Sequence, residues 1–565
     1  MVECLMECQA ILMAISLTVI SFFFSLCYLK YSRKKSMQAI PEPKGALPII
    51  GHLHLLGSSK VIARTLGAMA DECGPVFMIR LGTRRALVVS NSKVAKECLS
   101  KNDSVLATRP SLIAGEHLGY NYTAISFSSN GPTLRSMRKI AKTELLSTKR
   151  IQILKPFIDS EIDMCIRDLY EMWVTKNIGE KKPISQDMGM PILVEMKEWF
   201  ENLTLNLIVR VLAGKKHFAS LLGNENEEDS KICKKAIAEF LFLMGVFVVG
   251  DAFPCLRWVD WGGHEGAMKR IMKELDSSIL DKWVEEHLLK RSSASSPQSF
   301  STRKSENNSD GGETDFIDAM ISIMEENDAA QSAGLKSLDV ATAVKSICIS
   351  LLPAGSDGAA ITLIWTLSLL LNHSHVIKKA QEELDKQVGK DRRVNDSDIK
   401  NLVYLQAIVK ESMRLYPVAP ISLPHEAMED TNIAGFDVPK GTIVLTNLWK
   451  IHRDSSIWGI DALEFKPERF LNYCNKSQED MELKGDLLLF SLGRRMCPGR
   501  AFALHILHVT LARLLHEFKL STPSDLPVDM SEGFGLTLPK TTPLDVLLLP
   551  RLPSTMYVQY YNLNY

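Results

Sequence analysis

Residues 10–29 read AILMAISLTVISFFFSLCYL, twenty consecutive positions without a charge, which is the length of helix that crosses a bilayer. Glu3 and Glu7 precede this run, and Lys30, Arg33, Lys34 and Lys35 follow it. A cleaved signal peptide carries its basic residues ahead of a shorter apolar stretch, so the order here predicts a retained anchor. Positive charge on the downstream side predicts a short luminal N-terminus and a cytosolic body. Residues 1–30 are therefore expected to form tip and anchor. Residues 31–50, basic and then proline-rich (Pro41-Glu-Pro-Lys-Gly-Ala-Leu-Pro48), are expected to form a stiff hinge.

Beyond the hinge the apolar spacing is mainly helical. It predicts helices over 152–175, 200–213, 265–290, 340–372, 376–388, 398–415 and 499–517. Strand-like runs are short: 76–80, 86–90 and 442–446. Residues 291–314 are rich in Ser, Asn and Gly and read as a flexible loop inside one body, 51–550, followed by a tail, 551–565. The expected fold class is mainly α with small β-sheets. Pro353 and Gly358 both weaken the 340–372 helix, which is expected to bend or open there.

Composition narrows the partners. Of 565 residues, 66 are Lys or Arg and 66 are Asp or Glu. A balanced chain has no global attraction to polyanions, which argues against nucleic acid as the main partner. The 11 cysteines are scattered without a CxxC pair, so they read as reduced thiols facing the cytosol rather than a zinc site or disulfide framework.

One cysteine stands in a patterned setting: Phe490-Ser-Leu-Gly493-Arg-Arg495-Met-Cys497-Pro-Gly499, directly before the last long helix. A helix N-terminus favours a thiolate. Pro498 suits a first turn, and Gly493 and Gly499 allow close backbone approach to a flat group. Arg495 suits a carboxylate, and Phe490 can shield the sulfur. The pattern F-x-x-G-x-R-x-C-x-G resembles the haem-binding loop of the cytochrome P-450 superfamily.

Other segments agree with that resemblance. Glu411-Ser-Met-Arg414 places acid and base on one helical face, and Phe465-Lys-Pro467-Glu-Arg469-Phe470 is similar to the family's P-E-R-F segment. The resemblance implies a buried Glu411–Arg414–Arg469 network beneath the haem loop. PHEAMEDTNIAGFDVPKGT, GDAFPCLRWVDWGG and TPLDVLLLPRLPS resemble the plant A-type branch, clan 71, and the last resembles family 82. Together these imply the cytochrome P-450 fold with one N-terminal transmembrane helix, haem b held by Cys497, and dioxygen as co-substrate. They also imply electrons from NADPH–cytochrome P-450 reductase, docking over Arg494 and Arg500, in the endoplasmic reticulum membrane. A small hydrophobic plant metabolite (terpenoid, flavonoid, coumarin or alkaloid) is the implied substrate. Walls aligned with the family's are residues 112–126, 240–247, 349–354, 418–423 and 533–537, and the run 240–249 is expected to dip into lipid.

Two departures qualify the resemblance. The central helix reads Ala354-Gly-Ser-Asp357-Gly358-Ala359, where the family usually has Thr at position 358. In the family that hydroxyl holds protons and water beside iron-bound oxygen. Glycine has none, and Thr362 lies a turn away. Upstream, Arg138 matches the family's propionate-binding Arg, but Leu134 stands in place of Trp. His425 falls where the family places a propionate partner, so Arg138, His425 and Arg495 are the expected set. Three readings follow: monooxygenation with Asp357 as relay acid; an atypical rearrangement, cleavage or coupling; or a weakly active haem-binding paralogue.

Overall fold

The structure is a computed structural model that describes residues 40–57, 61–178, 189–216, 218–223, 227–294, 315–325, 338–473, 488–524 and 526–557. The expected anchor (residues 10–29) lies outside the described residues, as do residues 295–314 of the expected loop. Residues 291–294, placed in that loop from sequence, instead end a helix.

Helices dominate. In chain order the longer ones are α1 (Ile62–Cys73), α2 (Pro132–Ala141), α3 (Thr148–Ile178), α4 (Met196–Ala213), α5 (Glu227–Met244), α6 (His264–Leu275), α7 (Asp281–Ala294), α8 (Phe316–Glu325), α9 (Val340–Asn372), α10 (Ser374–Gln387), α11 (Val403–Leu415) and α12 (Arg500–Glu517). The spacing places the cores of α3, α4, α9, α10, α11 and α12 correctly and misses α1, α2, α5 and α8. All four carry Lys, Arg, Asp or Glu among their apolar positions, which dilutes the periodic signal.

Helix α9 starts where the Asp339 carboxylate accepts the Thr342 N–H at 2.8 Å. It is apolar on every side and long enough to cross a membrane by composition, yet it is mostly buried within the body. A helix without a polar face belongs in a core, and α4, also buried almost all round, packs along it. The expected opening at Pro353 and Gly358 is absent: α9 runs unbroken through both. Burial by α4 outweighs the local propensity, because Gly355 lies so close to Ile208 that a Cβ there would stand 2.8 Å from its methyl carbon.

Three small sheets complete the fold. Strands β1 (Val76–Leu81), β2 (Arg84–Val89), β7 (Ile443–Thr446) and β4 (His425–Glu426) form one in the order β1-β2-β7-β4. Pairing of β2 with β7 is parallel, so the helical body between them forms the crossover. Strands β3 (Ile192–Glu195), β9 (Asp545–Pro550) and β8 (Phe518–Ser521) make the second, and the hairpin β5 (Thr431–Ile433) with β6 (Phe436–Val438) the third.

Both ends of the described chain are tied to the body. In the expected hinge, Pro41 O accepts the Met78 N–H at 2.8 Å and Pro43 O bonds the buried His52 ring at 3.1 Å. In the expected tail, Tyr557 is fully buried and stacks on Tyr170 with ring centroids 4.2 Å apart. In the run 240–249, Phe240, Leu243 and Val248 are buried, Phe242 and Gly245 are exposed, and the rest are half-buried. Further exposed apolar side chains follow it, at Leu256, Trp258 (82% exposed) and Trp261 (77%).

Candidate active site

The cysteine loop leaves the residues before it through a tight reversal. Ser491 and Gly493 both take positive φ, +60° and +68°, and the Cys497 N–H closes the turn on Phe490 O at 2.8 Å. Gly493 is required here for its positive φ and for the close approach of a neighbouring turn. A Cβ there would stand 2.4 Å from both Leu99 O and an Asp103 carboxylate oxygen. Asp103 in turn accepts the Arg494 N–H at 3.1 Å and pairs with its guanidinium at 2.9 Å. Gly499 does face the sulfur, with a Cβ position 4.0 Å from Cys497 Sγ as its nearest neighbour.

Burial pushes the Cys497 thiol up, and the Gly499 N–H, Arg138 and Arg500 act against that without overcoming it. The helix N-terminus alone therefore does not make a thiolate; a bound metal ion would, by displacing the proton.

Around the loop stands a cluster of cations. Arg495 is buried and donates through Nε to Ala107 O at 2.6 Å, through Nη1 to Ile125 O at 3.2 Å, and through Nη2 to Ser128 O. Burial and the nearby Arg138 lower its pKa to about 10. Arg138 donates to Met496 O at 2.6 Å, next to the cysteine. Leu134, one turn earlier on α2, is buried among apolar side chains and offers no donor.

His425 is buried, and its Nδ1–H donates to Leu106 O at 2.8 Å. Burial, with Arg109 beside it, lowers its pKa to about 3, so the ring is neutral. Its Nε2 then carries a lone pair rather than a proton.

Arg109 was not singled out by any sequence motif, yet it belongs to this cluster. Its Nη1 donates to Leu423 O at 2.9 Å and Pro424 O at 2.7 Å, while its Nε is buried without a partner. Burial and then Arg495 and Arg138 pull its pKa well down. Three guanidinium groups that disfavour one another, one with an orphaned donor, fit a doubly anionic ligand. Haem b, with two propionates, is such a ligand, and the cysteine lies at the same place. The residues present fit the group.

Opposite the loop, α9 presents Ala354, exposed although Pro353 and Ser356 beside it are buried, so this face borders a cavity. A Cβ at Gly358 would meet nothing within 4 Å. Ile125 bridges the two sides: its N–H bonds Ser350 Oγ on α9 at 3.0 Å, while its carbonyl takes the Arg495 bond. Asp357 is driven up to about 6 by burial, with the Thr537 hydroxyl opposing the shift, and its Oδ2 is buried without a partner.

The Glu411–Arg414–Arg469 set is assembled as the resemblance implied. Arg414 makes a two-point pair with Glu411 at 2.6 and 2.8 Å, both side chains fully buried. Arg469 reaches the same carboxylate at 3.4 Å and also pairs with Asp461 at 2.9 Å. Arg414 further donates to the carbonyls of His452 and Ala462, each at 2.7 Å. The network thus welds α11 to the segment that leads into the cysteine loop.

Comparison with known proteins places these features. The cytochrome P-450 family model matches residues 41–546. Xanthotoxin 5-hydroxylase CYP82C4 of Arabidopsis thaliana is 45% identical over 97% of this chain and 99% of its own length. Strychnine-10-hydroxylase of Strychnos nux-vomica is 45% identical, covering 92% of each chain, and flavonoid-6-hydroxylase of Ocimum basilicum is 42% identical over 96% of this chain and 97% of its own. Among solved structures, a zebra fish cytochrome P-450 with progesterone superposes with a TM-score of 0.64 at 24% identity, covering 87% of this chain and 99% of that one; it bears on the fold alone. With the cysteine loop, the cation cluster and the buried Glu–Arg–Arg network in place, the chain belongs to the cytochrome P-450 family and is a haem b monooxygenase whose similar relatives include members of family 82.

Proposed function

We propose that this monooxygenase hydroxylates a flat, largely apolar plant specialised metabolite of the furanocoumarin, flavonoid or indole-alkaloid kind. The observation that carries the reading is the near full-length similarity to three hydroxylases whose names give those substrates. The open face at Ala354 and Gly358 supports it, since a ring system needs room rather than acid–base groups there. None of the relatives named above is a rearranging or coupling enzyme, and no observation favours that alternative.

Cys497 would hold the iron, while Arg109, Arg138 and Arg495 would hold the propionates. His425, neutral and donating to Leu106 O, would serve as a spacer beside them rather than as a cation. Bound there, haem b supplies oxygen activation and insertion into a C–H bond. Phe490 and the apolar walls keep water from the sulfur and the substrate, and Asp357 holds a proton at the cavity edge. Dioxygen and NADPH-derived electrons from a membrane-bound reductase complete the reaction, the reductase meeting the loop near Arg494 and Arg500. The reading is tested by the reduced carbon-monoxide spectrum, then by substrate-induced Soret shifts with xanthotoxin, a flavone and strychnine. A hydroxylated product from at least one, with stoichiometric NADPH use, is expected; Soret shifts without any oxygenated product would overturn it.

The same reading places the body on the endoplasmic reticulum membrane through residues 10–29. A second contact is assigned to Leu256, Trp258 and Trp261, since tryptophan favours the bilayer interface. Thr83 N–H bonds Ala252 O, and Gly82 N–H bonds Ile50 O, which joins this patch to the exposed Ile49 near the start of the described chain. Replacing both tryptophans by serine in a chain truncated before Ile40 is expected to move it from the membrane to the soluble fraction. Unchanged partitioning would remove the second contact.

A further inference from the structure

The buried Glu411–Arg414–Arg469 network and the start of the cysteine loop lie apart in sequence, and one residue touches both. His452 follows a single turn of helix, Leu448–Ile451, and is fully buried. Its carbonyl accepts the Arg414 Nη1–H at 2.7 Å. Its ring meets the other side, where the buried Leu488 N–H donates to His452 Nε2 at 3.3 Å. From there two backbone bonds lead to the axial cysteine. Leu488 O accepts the Ser491 N–H at 3.2 Å, and Phe490 O accepts the Cys497 N–H at 2.8 Å.

This placement fixes the chemistry of the ring. A backbone N–H can only donate, so Nε2 presents its lone pair and the proton sits on Nδ1. Nδ1 is buried and has no partner among the described residues. Burial first, then Arg414 and Arg453, lowers the His452 pKa to about 3, which keeps the ring neutral. An imidazolium would set a second donor against the Leu488 N–H. A buried donor left over is a cost that a phenyl ring of similar size would avoid. What the imidazole adds is an acceptor for the N–H at the entry to the loop. The backbone that carries it is tied down on several sides. Asn447 Oδ1 accepts the Lys450 N–H at 3.1 Å, and Asn447 Nδ2 donates to Ala63 O on α1 at 2.8 Å. Arg453 donates to Leu415 O at the end of α11 and lies over the Trp449 ring at 4.4 Å. Leu448, Ile451 and Leu488 are buried in one apolar cluster. The acceptor therefore stands at a set place against the loop.

We propose that His452 is a positioning residue for the cysteine loop: its imidazole accepts the Leu488 N–H and so carries the rigidity of the Glu411–Arg414–Arg469 network to the backbone that holds Cys497. Groups that fix a metal ligand from behind tune the bond it makes, although they never touch the metal. Without the acceptor, Leu488 would keep a buried N–H with nothing to bond, and the loop would gain by shifting to hydrate it. The inference concerns haem ligation alone. None of its tests uses a substrate, so it stands or falls apart from the substrate reading.

Variants of the haem-loaded full chain separate positioning from the filling of space. His452→Phe keeps a ring and removes the acceptor. His452→Gln removes the ring and brings an amide oxygen to where Nε2 stood. In the reduced carbon-monoxide complex, the share of haem with the red-shifted Soret band is expected to fall at least threefold in His452→Phe. It should stay near the wild-type share in His452→Gln. An intact band in His452→Phe, or an equal loss in His452→Gln, would show that the residue only fills space. Hydrogen exchange read by mass spectrometry gives a second arm. The Leu488 amide should exchange at least tenfold faster in His452→Phe, while peptides from α11 keep their protection. The wild type needs no variant at all: its Leu488 amide should exchange at least a hundredfold slower than an unstructured one. Exchange at the unstructured rate would overturn the assignment even where neither variant folds.

Discussion

Glu411→Ala is expected to destabilise the body by about 3–5 kcal/mol, the cost of leaving a buried ion pair with one partner. Arg414 has no access to solvent and would keep three carbonyl partners but lose both carboxylate bonds. Lys466 N–H, which donates to the same carboxylate at 3.0 Å, would be orphaned too. Arg469→Ala should cost less, because that side chain is partly exposed and has Asp461 as a second partner. Urea unfolding of the haem-loaded chain gives the ordering. Equal midpoints for wild type and Glu411→Ala would show that the network is not what fastens α11 to the cysteine loop. Haem loss is expected to precede global unfolding, since the loop is the part released first.

Cys497→Ser should abolish the red-shifted Soret band of the reduced carbon-monoxide complex and lower product formation to background, while helix content by circular dichroism is unchanged. Serine conserves the shape of the loop, including the N–H bond to Phe490 O, but a hydroxyl is a far poorer soft donor to iron than a thiolate. The apo protein offers a second readout. Burial raises the Cys497 thiol, so alkylation should mark the exposed Cys255 first, and loading with haem should leave Cys497 protected altogether. A thiolate-type spectrum that survives the serine change would assign the ligand to another residue.

The motifs named every element that a short stretch of chain can encode. The cysteine loop is local: ten residues hold the donor, the turn and the helix start, so its pattern was readable. Glu411 and Arg414 sit on one helical face, which spacing alone indicates. Their union with Arg469 came only from family resemblance, because a bond across 58 residues leaves no periodic trace. Arg109 escaped notice for the same reason. It meets Leu423 and Pro424 more than three hundred positions away, and nothing beside it in the chain marks it as part of a cation cluster.

Local propensity misled at the central helix and told only part of the story at two other places. Pro353 and Gly358 argue for an opened helix, but with α4 packed along it α9 runs unbroken. The apolar run 240–249 argues for lipid contact; Phe240, Leu243 and Val248 turn inward while Phe242 stays exposed, and the exposed tryptophans lie a few residues later. Gly493 suits a flat ligand in sequence, and the close approach of Leu99 and Asp103 adds a second demand for glycine that the sequence does not show.

By itself the chain's order determined the family, the helical class, the axial sulfur and the unusual glycine at 358, since each is carried by residue type and near spacing. Tertiary structure alone decided where the cations gather and whether the central helix opens. Those outcomes depend on contacts between segments hundreds of residues apart, whose energies come from burial and from pairing that no local window contains.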